Sequence, residues 1–210
     1  MPGPFENKYV VLGVTGSIAC YKAVDLASKL TQAGAMVDVI LTRGATEFVT
    51  PLTFRSITHR PVITRVFDPD SELSVEHVAL ARRADVVVVA PAAAHTIAKM
   101  AHGMADDMLT TTLLATAAPV MVAPAMDANM HENAAIQENL ATLRSRGITV
   151  VGWAPPGDAP TRSWLSETLA AINQGFHRVE QIFLGVAAAP RGNPCGDIEF
   201  VHWLEVVRLA

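Results

Sequence analysis

Cysteine is scarce in this chain: two residues in 210, Cys20 and Cys195. They stand too far apart to read as a disulfide framework or a zinc site, and a structural role is expected of both. No apolar run approaches the roughly 18 residues of a membrane span, and the opening "MPGPFENKYV" lacks a charged head before an apolar stretch. No membrane contact is expected, and a cytoplasmic location is. A basic stripe is also missing. The sixteen Lys and Arg are scattered against twenty Asp and Glu, for a net charge of −4, which argues against nucleic acid as a partner. Aromatic residues make up only 6% and charged residues 17%, while hydrophobic residues reach 50% at a mean hydropathy of +0.30. Part of so apolar a surface is expected to face another subunit. The length suits one α/β domain with a sizeable core and would cramp a second.

What is present is a recurring pattern. Residues 9–13, "YVVLG", form an apolar β-branched run ending in glycine, and Ile18, Tyr21, Val24, Ala27 and Leu30 follow at helical spacing before Gly34. Further strands are expected at 37–42, 84–90, 119–123 and 148–152. Helices are expected at 45–54, 96–102, 106–116 and 134–146, with a loop or short strand in 58–74. Continuously apolar strands alternating with helices imply a parallel sheet covered on both faces. The expectation is a three-layer, doubly wound, Rossmann-like α/β domain over residues 7–152, with right-handed crossovers. Beyond Gly152 the texture changes to a turn-rich "WAPPGDAP". Leu165, Leu169, Ile172, Phe176, Val179 and Phe183 then repeat at helical spacing, so 153–210 reads as a partly helical packing or oligomerising extension.

Four loops carry the chemistry. "GVTGSIA" closes the first strand and opens a helix, where backbone amides of Gly16, Ser17 and Ile18 can meet an anion and Ser17 can cap. Its spacing is GxxGS rather than GxGxxG, and Thr42 and Arg43 end the second strand in place of an acid. That disfavours a dinucleotide and suits a mononucleotide phosphate, against the alternative of a plain glycine turn. Thr42 in "LTRGATEF" is either a ligand contact or an ordinary strand-end threonine. In "APAAAHT", small residues let backbone lie close to a flat ligand. Thr96 there is an N-cap or a donor, and His95 a contact or a solvated turn residue. "PAMDANM" offers Met126 and Met130 as an adaptable wall around Asp127 and Asn129, or else an ordinary capped helix start. His77, at the lip of the apolar run 86–93, reads by itself as a structural histidine.

Taken together, "GVTGSIACYKA", "LTRGATEFV", "EHVALARRADVVVVAPAAAHTIAKMAHGMADDMLTTTLLA" and "PAMDANMHENAAIQENL" resemble, in order and spacing, the homo-oligomeric flavin-containing cysteine decarboxylases. Within that family the likeness is to the phosphopantothenoylcysteine decarboxylase domain of bacterial bifunctional coenzyme A biosynthesis proteins, over residues 7–152. The resemblance implies FMN shared between subunits of a trimer, often assembled further into a dodecamer, and no metal. Gly16, Ser17, Ile18 and Thr42 match positions at the phosphate and ribityl chain, and Ala93, Ala94, His95 and Thr96 match the loop along the flavin. His77 matches the active-site histidine, a residue type suited to proton transfer near neutrality. Met126, Asp127 and Met130 match the substrate-recognition segment. The implied reaction oxidises the cysteinyl thiol of 4′-phosphopantothenoyl-cysteine to a thioaldehyde, loses CO₂ to give an enethiol, and ends in reduction to 4′-phosphopantetheine.

Three departures accompany the likeness. The family has asparagine where His95 and Asp127 stand, and an ionised aspartate repels a carboxylate that asparagine would bind. After "GITVVG" the family continues with a glycine-rich flap carrying cysteine or serine, whereas this chain reads "WAPPGDAPTRSW". The CTP-dependent ligase domain that often follows is not expected. The same scaffold also serves flavin prenyl transfer, pterin reduction and non-catalytic regulatory subunits, and these stand as alternatives.

Overall fold

The apolar runs become strands that hydrogen-bond to one another, which satisfies their backbone polar groups where water is excluded. The computed structural model describes residues 5–66, 76–152 and 168–172. Six strands, β1 (Tyr9–Val14), β2 (Met36–Leu41), β3 (Val62–Ile63), β4 (Val86–Ala92), β5 (Val120–Pro124) and β6 (Thr149–Val150), form one sheet in the order β3-β2-β1-β4-β5-β6. Every pairing is parallel. The expected doubly wound α/β class is therefore the observed one. Strand order reverses between β1 and β4, the point at which such sheets hold ligands beyond their carboxyl ends.

Helices α1 (Cys20–Gln32) and α2 (Pro51–Thr58) pack together on one face. On the other lie α3 (Glu76–Arg83), α4 (Ala94–His102), α5 (Met108–Ala115), the short α6 (Ala128–Glu132) and α7 (Ala134–Ser145). All seven residues of β4 are buried, as its unbroken apolar run requires of a strand covered on both sides. Gly13 has a packing reason: a Cβ there would run into the Leu109 side chain of α5.

Several boundaries differ from the periodicity. The first helix begins at Cys20, not Ile18, because residues 16–19 form a turn before it. The single helix expected at 45–54 is a 3-10 turn, Ala45–Glu47, followed by α2. Pro51, at the first turn of α2, fixes a helix start, and the Thr50 hydroxyl caps it by accepting the Thr53 N–H. The strand expected at 84–90 runs two residues later, and α4 opens at Ala94. Helix α3 was not expected, and α6 was expected only in the alternative reading of "PAMDANM" as a helix start. Of the extension, residues 168–172 are helical with Leu169 and Ile172 buried. Leu165, Phe176, Val179, Phe183 and Cys195 lie outside the described residues.

One charge sits deep in the sheet. Asp38 of β2 is 1% exposed, and its carboxylate meets Arg60 Nε at 2.7 Å and Arg83 of α3 at 2.8 Å. The second contact is an ion pair without hydrogen-bond alignment. Removing Asp38 leaves two arginines that already reach water, their side chains 27% and 37% exposed. Asp38→Ala is expected to lower unfolding free energy by about 2 kcal/mol in urea melts. The Arg60→Ala/Arg83→Ala double variant strands a buried carboxylate and is expected to lose about 3–5 kcal/mol.

Candidate functional site

The β1 turn is built around a threonine that the apolar pattern conceals. Thr15 is fully buried. Its hydroxyl donates to Pro91 O and accepts the Ala93 N–H, each at 2.7 Å, and its own N–H reaches Pro91 O at 3.2 Å. The turn after β1 is thereby bonded to the end of β4 and to the cap of α4. The Ala125 N–H donates to Ala92 O at 3.1 Å, bringing in the turn after β5. Ser17 Oγ donates to Ala125 O at 3.3 Å and closes the ring. The β2 turn joins through the Thr42 N–H, which donates to Val14 O at 3.0 Å, and through close approach: a Cβ on Gly16 would lie 2.9 Å from the Gly44 carbonyl carbon.

Held in this ring, residues 16–18 leave their amides unused. Among the described residues the N–H groups of Gly16, Ser17 and Ile18 find no acceptor. Ser17 Oγ accepts the Ala19 N–H, so it braces the turn while Ala19 occupies the N-cap of α1. Consecutive free amides before a 13-residue helix suit an anion. Thr42, 8% exposed, accepts the Ala45 N–H only at 3.4 Å, and its hydroxyl proton is uncommitted.

The third and fourth turns supply a surface. Ala93 caps α4 without a side-chain bond, and Ala93 and Ala94 project no more than a methyl each. Thr96 lies inside α4 rather than at its cap. It is 1% exposed, and its hydroxyl is 3.3 Å from Nε2 of the exposed His95. Met126 is buried and Met130 49% exposed. Asp127 is exposed and caps α6, its Oδ1 accepting the Asn129 N–H at 2.9 Å, so the ordinary helix-start reading of that residue holds.

His77 is the second residue of α3, not the lip of a strand, and is half-buried with no hydrogen bond to another described residue. Arg83, at the other end of α3, meets Asp38 in the amino half of β2. Six residues of helix, about 9 Å of rise, carry His77 from there toward the carboxyl edge. No hydrogen bond joins it to residues 16–18 or 93–96. Cys20, by contrast, is sealed: its thiol donates to Thr15 O at 3.2 Å, and burial pushes its pKa up, outweighing the backbone contact at Ser17 that lowers it.

Sequence reasoning missed Thr15, Gly44 and Asp38. The available signals were a hydroxyl wedged between a strand and a glycine, a second glycine at a strand end, and a lone carboxylate inside an apolar strand.

A parallel three-layer sheet with free amides crowning its switch point defines a mononucleotide-binding α/β protein. The Flavoprotein family profile matches residues 2–182, and the chain belongs to that family. The coenzyme A biosynthesis bifunctional protein CoaBC of Vibrio vulnificus is 49% identical over 149 residues, 71% of this chain and 37% of that protein. The chain thus spans little more than a third of the length of the curated relatives it matches. Among solved structures, the FMN-dependent cysteine decarboxylase SpaF superposes with a TM-score of 0.72 at 28% identity, covering 83% of this chain and 98% of SpaF. A cysteine-to-serine mutant of PPC decarboxylase, complexed with pantothenoylaminoethenethiol, superposes at 0.64 with 27% identity, covering 80% and 98%.

Proposed function

We propose that this chain is an FMN-dependent decarboxylase that takes 4′-phosphopantothenoyl-cysteine towards 4′-phosphopantetheine in coenzyme A biosynthesis. The observation that carries the reading is the set of three acceptor-free amides at 16–18, beside the uncommitted Thr42 hydroxyl and the small-residue turn at 93–94. These residues fit FMN. Gly16, Ser17 and Ile18 receive the phosphate, Thr42 receives phosphate or ribityl oxygens, and Ala93, Ala94, His95 and Thr96 line the flat ring. When bound, FMN supplies the two-electron oxidation of the cysteinyl thiol that makes CO₂ loss possible.

The chain's own residues then orient and exchange protons. His77 serves as base or electrostatic partner at the cysteinyl group. Met126 and Met130 form the substrate wall. Asp127, whose Oδ1 caps α6, stands between them as the polar residue of that wall. The FMN domain is residues 7–152, with 153–210 as its extension.

A homo-oligomer, a trimer or a dodecamer, completes the site. The support is apolar exposure: Ile18 is 70% exposed, Leu52 68% and Tyr21 57%, with α1 and α2 packed side by side. No helix among the described residues is long and apolar enough to cross a membrane, and we place the reaction in the cytoplasm.

The test is FMN titration followed by anaerobic assay with carboxyl-labelled substrate. Saturable FMN binding and labelled CO₂ support the reading, and failure to take up FMN overturns it. FMN uptake without CO₂ would transfer the chain to prenyl transfer, pterin reduction or a regulatory role. Gly16→Ala is expected to weaken FMN binding about tenfold, because its Cβ must push the Gly44 backbone aside. Fluorescence quenching of added FMN measures it.

A further inference from the structure

We propose that Thr15 is a positioning residue. Its hydroxyl sets the spacing between the amides that take the phosphate and the turn that lines the flavin. This rests on the FMN reading of the site. The hydroxyl donates to Pro91 O and accepts from Ala93 N, both at 2.7 Å. That double role needs a group that is donor and acceptor at one atom, which valine, alanine and cysteine do not supply at this geometry. The residue is fully buried, so no water replaces a lost partner from the solvent side. Ala93, 7% exposed, would keep an unsatisfied N–H at the cap of α4, where no side chain substitutes.

The consequence reaches further than one contact. Thr15 lies one residue before the first free amide and Ala93 one residue before the small-residue start of α4. With Ala92 bonded to Ala125 and Ala125 to Ser17, the Thr15 hydroxyl is the side-chain bridge between the β1 and β4 turns, supplying two bonds of 2.7 Å beside the longer backbone bond from Thr15 N–H to Pro91 O at 3.2 Å. Losing it leaves only the longer backbone bond across this gap, so the two halves of the cofactor site shift more easily relative to each other and the preorganisation that tight binding needs is reduced.

Thr15→Val, nearly isosteric, is expected to weaken FMN binding about tenfold or more and to speed amide exchange at Ala93 by a similar factor in the FMN-free protein. Thr15→Ser restores both to within about threefold. Cys20→Ala, which removes only the thiol donor to Thr15 O, leaves both unchanged. Wild-type FMN affinity and Ala93 exchange in Thr15→Val overturn the proposal. In the wild type, FMN must slow exchange at Ala93 together with residues 16–18; protection of 16–18 alone also overturns it, and this arm stands even if Thr15→Val does not fold. Should the wild type take up no FMN, the functional reading fails, while Ala93 exchange in the three variants still decides whether Thr15 bridges the turns.

Discussion

His77→Asn is expected to retain FMN and to lose CO₂ release by a factor of about 10²–10⁴, the usual contribution of a positioned acid or base. Asparagine keeps a planar polar group of similar reach but exchanges no proton. The residues that fit FMN lie on the turns at 16–18, 42 and 93–96, and none of them is hydrogen-bonded to His77. FMN affinity should therefore stay within about twofold of wild type, a change worth less than half a kcal/mol. Single-turnover CO₂ release separates this from a binding effect. A fall of less than about tenfold at saturating substrate would remove the histidine from the chemistry. Arg83→Ala provides a graded comparison, since it frees the far end of α3 from Asp38 without touching the imidazole. Its effect on turnover should be much smaller than that of His77→Asn.

The strands were legible because a doubly covered parallel sheet forces near-continuous apolar runs, and "DVVVVAPA" admits little else. The turn after β1 was legible because glycine and serine stand between an apolar strand and a helical repeat. Long-range pairing was not. Asp38, Arg60 and Arg83 come from a strand, a loop and a helix, and nothing in their spacing announces that they meet. Thr15 was hidden for a related reason: its partners, Pro91 and Ala93, stand 76 and 78 residues away and offer only backbone atoms, which leave no trace in side-chain pattern. Helix α3 was overlooked because "EHVALARR" is eight residues of mixed charge and its stability comes from packing on α5. Asp127 is the instructive middle case. The sequence allowed both a cap and a substrate contact, and the structure shows the cap, with Oδ1 on the Asn129 amide.

The final reduction is the step for which this chain is least equipped. Its sequence after "GITVVG" has no cysteine or serine until Ser163, and the proline-rich "WAPPGDAPTR" replaces the glycine-rich flap that the resemblance leads one to expect. Cys20 cannot substitute as a proton donor. It is fully buried, its thiol is spent on Thr15 O, and burial raises its pKa. Decarboxylation itself needs no such donor, because the electrons released with CO₂ are absorbed by the C=S bond of the oxidised substrate. Anaerobic reaction is therefore expected to stop after about one CO₂ per bound FMN, with the visible flavin absorption bleached and a product two hydrogens lighter than 4′-phosphopantetheine. Admitting O₂, which reoxidises reduced flavin, should restart CO₂ release with the same enethiol product. Mass spectrometry of the product and CO₂ counted against bound FMN measure both arms. Many anaerobic turnovers ending in 4′-phosphopantetheine would show that the chain completes the reduction with a donor other than the flap cysteine, and would end the case for a stalled product.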